Sequence, residues 1–256
     1  MEKCNYGNGR GTLFVVGTGP GAVRQMTLAA CEVLEKAEVV VGYKTYLELI
    51  PTFLAGKEVI SSEMMKEVER CRLALEMAQT GKQVALVSGG DPGIYAMAGL
   101  VYVLARESGF TGTIEVVPGL AAINSCAARL GAPLMHDFAA ISLSDLLTPW
   151  ELIEKRLTAA AMADFVTAIY NPKSKRRTDQ IVRAREIFLA HREASTPVGI
   201  VTAATRENEK IAVTTLANML DHEITMQSTL IIGNSQTYTW NDLIITPRGY
   251  GNKYEL

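Results

Sequence analysis

Gln83-Val84-Ala85-Leu86-Val87 runs directly into Ser88-Gly89-Gly90-Asp91-Pro92-Gly93, and then into a stretch ending at Arg106 with apolar residues at helical spacing. A short aliphatic run, a Gly/Pro turn and a helical pattern make one strand–loop–helix unit. The same rhythm extends both ways. Upstream, Thr12 to Val16 reads as a buried strand, Thr27 to Ala37 as a helix with Thr27 as its N-cap, Val39 to Val41 as a strand and Glu63 to Gln79 as a helix. Downstream, Thr113 to Val117 reads as a strand and Leu120 to Leu130 as a small-residue helix. Strands separated by helices predict an α/β fold with a mostly parallel sheet. The stretch Gly131 to Pro149 breaks the rhythm, and the expected boundary between two α/β domains, 1–133 and 134–256, falls there. The second half reads as helix Trp150 to Met162, strand Phe165 to Tyr170, a basic loop, helix Asp179 to His191 and strand Val198 to Thr202. Glu209 to Val213, Leu230 to Gly233 and Leu243 to Thr246 read as a more antiparallel set of strands.

Composition narrows the function classes. Of 256 residues, 48% are apolar and 20% charged, the balance of a globular protein with a core. The 25 Lys+Arg against 27 Asp+Glu give a net charge of −2, so no global basic excess draws the chain to nucleic acid. No apolar run reaches the ~18 residues of a membrane span. Met1 to Gly11 is polar and Gly-rich and does not read as a signal peptide. Cys4, Cys31, Cys71 and Cys126 and the three histidines are scattered, which predicts reduced thiols, no metal site and a cytoplasmic protein.

Four loops are candidates to carry chemistry. Gly17-Thr18-Gly19-Pro20-Gly21-Ala22 fits G-x-G-x-x-A, the dinucleotide fingerprint. Two features oppose that reading. Pro20 removes an amide where a helix N-terminus should meet a pyrophosphate, and Gly42-Tyr43-Lys44 lacks the acid that would hold the ribose. In the second loop Asp91 either accepts hydrogen bonds from a ligand or caps the next helix. The third, Pro118-Gly119-Leu120-Ala121-Ala122, leaves room for a flat group or for close helix packing. The fourth holds His136-Asp137 and then Ser142 and Ser144; a His beside an Asp suits acid/base work. Adjacent residues on an extended chain point to opposite faces, so the two need not touch. No G-x-S-x-G elbow surrounds either serine, which excludes a hydrolase triad. The run Lys173-Ser174-Lys175-Arg176-Arg177 is a solvated charge run or an anion-binding loop.

In this order the loops resemble the tetrapyrrole (corrin/porphyrin) methylase family. The resemblance rests on Val16 to Gly21, Ala37 to Tyr43, Ser88 to Gly93, Val117-Pro118-Gly119, Gly131 to Phe138, Ile141 to Trp150, Tyr170-Asn171-Pro172 and Ile245 to Tyr250. The segments His136-Asp137-Phe138 and Ser144-Asp145-Leu146-Leu147-Thr148-Pro149-Trp150 look like the branch that methylates C17 of precorrin-3B, or its cobalt form, in cobalamin biosynthesis. The resemblance implies two α/β domains with the active site in the cleft between them, S-adenosylmethionine as methyl donor, S-adenosylhomocysteine as product, and a homodimer. Carried over by motif, Gly89, Gly90, Asp91, Ile94, Tyr95, Ala121, Ala122, Tyr170, Asn171, Ala203, Thr246 and Pro247 would line the cofactor. At Ala121-Ala122 many family members carry Ser or Thr, so only backbone contacts carry over. Gly19, Pro20 and Gly21 would line the substrate trough. Lys44, Lys173, Lys175 and Arg176, with Arg70, Arg129 and Arg248, are candidates to pair with the acetate and propionate groups of the macrocycle. The branch also contracts the ring, which requires proton movement at an oxygen; His136, with Asp137 or Ser142 beside it, is the candidate.

Three competing readings remain open at this level. One is a methylase of the same fold acting on another tetrapyrrole carbon, on diphthamide or on ribosomal RNA. Another is a nicotinamide-dependent oxidoreductase, opposed by the missing acid near Tyr43. The third is a non-catalytic tetrapyrrole carrier. Metal-free and cobalt-bearing substrates are not distinguished by the residues.

Overall fold

The computed structural model describes residues 11–255; Cys4 and the Gly-rich segment before Gly11 lie outside them. The chain divides into two compact units, one ending at Ala122 and one beginning at Ile123.

The first unit contains β1 (Thr12–Gly17), α1 (Leu28–Lys36), β2 (Val39–Tyr43), α2 (Lys44–Leu47), β3 (Glu58–Ser62), α3 (Glu67–Gln79), β4 (Gln83–Ser88), α4 (Ala98–Ser108) and β5 (Thr113–Val117). Its sheet runs β3-β2-β4-β1-β5 with every pairing parallel. Alternation along the strands divides the core. Leu13, Val15, Val39, Val41, Val84 and Leu86 face α3 and α4, while Phe14, Val16, Val40, Ala85 and Val87 face α1. Both faces are covered, which is why the central strands are apolar throughout rather than alternating with polar residues. Thr27 caps α1 as expected, its Oγ1 accepting from Ala30 N at 3.1 Å and donating to Pro118 O at 3.1 Å. The helix predicted from Gly93 begins only at Ala98. Asp91 bonds the Gly93 amide instead, and Tyr95 takes a φ of 52°, so the chain makes a turn before it can coil.

The second unit contains α5 (Ala122–Leu130), β6 (Gly131–Ala132), β7 (Phe138–Ser142), α6 (Trp150–Met162), β8 (Val166–Tyr170), α7 (Asp179–Leu189), β9 (Pro197–Thr202), β10 (Lys210–Thr215), β11 (Ser228–Ile232), β12 (Tyr238–Trp240) and β13 (Leu243–Ile245). The order is β10-β9-β11-β8-β7, antiparallel except for β7 beside β8, with a small sheet β12-β13-β6. Helices α6 and α7 cover one face through Ile153, Leu157, Ile181 and Phe188. On the other, Leu130 occupies the space that a Cβ on Gly199 would need, 2.3 Å from Leu130 Cδ1. That contact and the β6–β13 pairing tie α5 and β6 to this unit, ahead of the 133/134 boundary expected from sequence. Among the described residues no helix is long and apolar enough to cross a membrane.

Candidate functional site

In the first unit the three glycine-bearing loops leave the carboxyl ends of β4, β1 and β5, which are neighbours in the sheet. They are joined backbone to backbone. Gly19 N donates to Gly90 O at 3.1 Å, Gly90 N to Gly19 O at 2.7 Å, and Thr18 N to Ser88 O at 2.9 Å. A Cβ on Gly17 would lie 2.6 Å from Gly119 N, and one on Gly119 would lie 2.1 Å from Gly90 O. These glycines are required by the contact between loops. Val23–Gln25 forms a single 3-10 turn and α1 starts only at Leu28, so no helix N-terminus meets the glycine turn. That geometry agrees with the objection to a dinucleotide fingerprint.

Asp91 serves the same junction. Its Oδ1 accepts from Gly93 N at 2.8 Å and its Oδ2 from Gly119 N at 3.2 Å, clasping the second loop to the third. It does not cap α4. Gly89 backs onto Tyr46, whose ring fills the space a Cβ would take. Gly90, with a φ of 69°, faces Ala121 and Ala122: its Cβ would lie 3.9 Å from Ala121 Cα and 3.8 Å from Ala122 N. Ile94 and Tyr95 are exposed on the turn before α4. Gly19 and Pro20 are buried, Gly21 is half-buried, and Lys44 is exposed at the start of α2. Arg70 is buried; it donates to Ser62 Oγ at 2.6 Å and Glu63 O at 2.9 Å and lies over the Tyr43 ring. Its guanidinium is engaged inside the unit.

In the second unit a polar chain links β7, β8 and the basic loop. Ser142 stands opposite Tyr170 in the β7–β8 register. Its Oγ accepts from Ser144 N at 3.2 Å and from Asn171 Nδ2 at 2.9 Å. Asn171 has a φ of 49° and its carbonyl accepts from Arg177 Nη1 at 2.5 Å. Arg177 also faces Asp145 at 3.8 Å, and Gln180 donates to the other Asp145 oxygen at 2.9 Å. Burial pulls the Arg177 pKa down while Asp145 opposes that shift. Arg177 is thus the member of the basic run that shapes the loop, and the sequence reading did not single it out. Lys175 and Arg176 are exposed and Lys173 is half-buried.

Tyr170 Oη accepts from Ile123 N at 2.9 Å, fixing the start of α5. Ala203 is buried with a φ of 50°, and Thr246 is fully buried with its hydroxyl 2.8 Å from that of Thr237. Pro247 is half-buried and Arg248 exposed. His136 and Asp137 do meet: Asp137 N donates to His136 Nδ1 at 2.8 Å, and the carboxylate lies 4.0 Å from the same nitrogen. Both side chains face solvent, 43% and 75% exposed. Arg129 pairs with Glu209 at 3.0 Å. Cys31, Cys71 and Cys126 are free, and burial pushes Cys71 and Cys126 up to about 11, which keeps them protonated thiols near neutrality.

Comparison with known proteins identifies the family. The model of the tetrapyrrole (corrin/porphyrin) methylases matches residues 12–220. The cobalt-factor III methyltransferase of Priestia megaterium is 53% identical over 96% of the chain, which spans only 46% of that longer protein. A probable cobalt-factor III C(17)-methyltransferase of Salmonella typhimurium is 50% identical over 93% of the chain and 99% of its own length. The crystal structure of the methyltransferase CobJ superposes with a TM-score of 0.88 at 36% identity, covering 93% of this chain and all of that one. The chain belongs to the tetrapyrrole (corrin/porphyrin) methylase family.

Proposed function

We propose that the chain transfers a methyl group from S-adenosylmethionine to C17 of cobalt-factor III in cobalamin biosynthesis. The observation that carries this reading is the 50% identity, end to end, with a relative bearing that activity in its name. The cobalt-bearing macrocycle is preferred to metal-free precorrin-3B because relatives named for the cobalt form are 53% and 50% identical.

The residues suit the cofactor. Gly90, Ala121 and Ala122 are adjacent and small, with a Cβ on Gly90 falling 3.8 Å from Ala122 N, so backbone rather than bulky side chains would face an adenosyl group there. The expected contacts are backbone amides and carbonyls with Tyr170 and Asn171, while Asp91, also in the expected set, accepts from the amides of Gly93 and Gly119. When bound, the sulfonium supplies a methyl group that is already electrophilic. The chain's own contribution is orientation, which provides roughly 7–11 kcal/mol in well-aligned systems. Ser142 Oγ accepts from two partners, so toward a macrocycle oxygen it acts as a donor. His136 Nδ1 accepts the Asp137 amide, so the neutral ring carries its proton on Nε2 and offers it to the oxygen where ring contraction moves a proton. Lys44, Lys173, Lys175 and Arg176 pair with substrate carboxylates. The protein works in the cytoplasm as a homodimer.

Titration calorimetry with S-adenosylhomocysteine, with NAD as control, tests the cofactor. Micromolar binding of the first alone is expected, and no binding by the folded protein overturns the reading in favour of a tetrapyrrole carrier. Turnover of cobalt-factor III and precorrin-3B, followed by mass spectrometry, tests the substrate; preference for the metal-free ring overturns the cobalt assignment.

A further inference from the structure

The segment between β9 and β10 holds two strained residues close together. Ala203 has a φ of 50° and Thr205 a φ of 68°. Left-handed backbone is unfavourable for alanine and worse for a β-branched residue, and it persists only where the surroundings over-determine it. Backbone bonds fix one side: Ala203 N donates to Gln227 O at 3.1 Å, and Arg206 N to Ala203 O at 3.0 Å. On the other side the Glu209 amide donates to Arg206 O at 3.1 Å, and the Glu209 carboxylate adds a side-chain tie. Glu209 Oε2 accepts from the Thr205 amide and, at 3.0 Å, from Arg129 Nε of α5. The pair is partly shielded, with Glu209 20% and Arg129 35% exposed, so the charge attraction is screened less than on an open surface.

We infer that Glu209, held by Arg129, is a positioning residue for the cofactor: it locks the strained turn that presents Ala203. This rests on the reading above that Ala203 lines S-adenosylmethionine. It assigns Arg129 to Glu209 rather than to a carboxylate of the macrocycle, the role open to it from sequence.

Glu209→Ala, Glu209→Gln, Arg129→Ala and Glu209→Ala/Thr205→Gly are compared with the unaltered protein by calorimetry with S-adenosylhomocysteine. Hydrogen exchange at the Thr205 amide is followed in the ligand-free state. Circular dichroism checks that each variant is folded. Glu209→Ala should weaken binding roughly tenfold and speed Thr205 exchange. Glu209→Gln, which keeps an acceptor oxygen, should stay within about threefold. Thr205→Gly should restore part of the loss, because glycine tolerates the conformation unaided. In turnover, the KM for S-adenosylmethionine should rise in Glu209→Ala and Arg129→Ala while the KM for the tetrapyrrole holds. Equal binding by Glu209→Ala and the unaltered protein overturns the proposal. So does an Arg129→Ala variant that raises only the tetrapyrrole KM. Failure of the unaltered protein to bind S-adenosylhomocysteine instead overturns the cofactor reading, while the exchange rate still reports whether Glu209 holds the turn.

Discussion

Gly119→Ala would place a methyl group 2.1 Å from Gly90 O and 2.7 Å from Gly17 C. A carbon and a carbonyl oxygen meet at about 3.3 Å, so the loops must part by about 1 Å. Both obstacles are backbone, and no change of rotamer relieves them. Overpacking costs ~1–3 kcal/mol. The upper end applies here, because the Gly19–Gly90 pair and the Asp91–Gly119 bond at 3.2 Å depend on the same approach. At about 2–4 °C per kcal/mol for a domain of this size, the midpoint of the ligand-free protein should fall by roughly 6–12 °C. Gly17→Ala intrudes on the same space, 2.6 Å from Gly119 N, so the double variant should lose less than the sum of the singles. Gly99→Ala is the control: nothing lies within 4 Å of its Cβ, and alanine in α4 should gain up to ~1 kcal/mol. Differential scanning fluorimetry without ligand reads all four. A Gly119→Ala variant with an unchanged midpoint that loses only S-adenosylhomocysteine affinity would refute the argument, because the glycine would then serve the ligand and not the loop junction.

Arg192 donates to the carbonyls of Gly233, Ala160 and Phe165 and lies over the Phe188 ring at 4.8 Å. Arg192→Met should cost about 1–3 kcal/mol in urea unfolding, since Ala160 O keeps the Phe165 amide and Phe165 O keeps the Thr167 hydroxyl while Gly233 O loses its Arg192 donor; a loss below about 1 kcal/mol would refute the clamp. Cys71 and Cys126 have pKa values raised from 9.0 to about 11, so the folded state binds their protons more tightly than the unfolded state. Their contribution is complete below pH 9 and is lost as pH rises toward 11, up to roughly 2–3 kcal/mol per thiol. Cys71→Ala/Cys126→Ala should flatten that slope, and an unchanged slope would refute the assignment. Asn241 and Asp242 form the two-residue turn between β12 and β13 with φ of 48° and 60°. Asp242→Gly should raise the midpoint by the equivalent of ~0.5–1 kcal/mol, and a fall would exclude the primed turn.

What was legible in the sequence follows from how completely each element is buried. β1 and β4, apolar along their length and covered on both faces, were placed within a residue. β3, with Glu58, Ser61 and Ser62 at the sheet edge, carries too few apolar residues to be recognised from periodicity. β7 was read as part of a break because two prolines, a His-Asp pair and several serines surround it, and its own pattern is weak: Phe138 is 48% exposed and two alanines follow it. The glycine loops were legible as ligand-facing candidates, but not as partners of one another, since the contact depends on strand order. Asp91 shows the same limit: one carboxylate bonds amides at 93 and 119, and only folding brings those together. Arg177 and Glu209 gave no signal. Each is one charge among many, and what distinguishes it is the amide or carbonyl it reaches across the fold.

Residues other than glycine with left-handed backbone differ in how well their side chains tolerate it. Among the described residues, those other than glycine with positive φ fall into two groups. Asp164, Asn171, Asn241 and Asp242 have short polar side chains that tolerate the conformation. Three of these have a local reason. Asn241 and Asp242 close a hairpin, and Asp164 follows α6 with its carboxylate bonded to Ser235 N at 3.0 Å and Oγ at 2.6 Å. Met65, Tyr95, Ala203 and Thr205 have no such tolerance, and each adopts a conformation that a glycine would hold more cheaply. Tyr95 and Ala203 belong to the set expected around the cofactor, and Thr205 adjoins Ala203. If sharp turning were all these positions required, glycine or asparagine would serve, as at Gly90 and Asn171. At Tyr95 and Ala203 the strained backbone coincides with two positions of the set proposed to line the cofactor, and Tyr95→Gly and Ala203→Gly, which relax the backbone, should weaken S-adenosylhomocysteine binding only if the side chains serve the ligand.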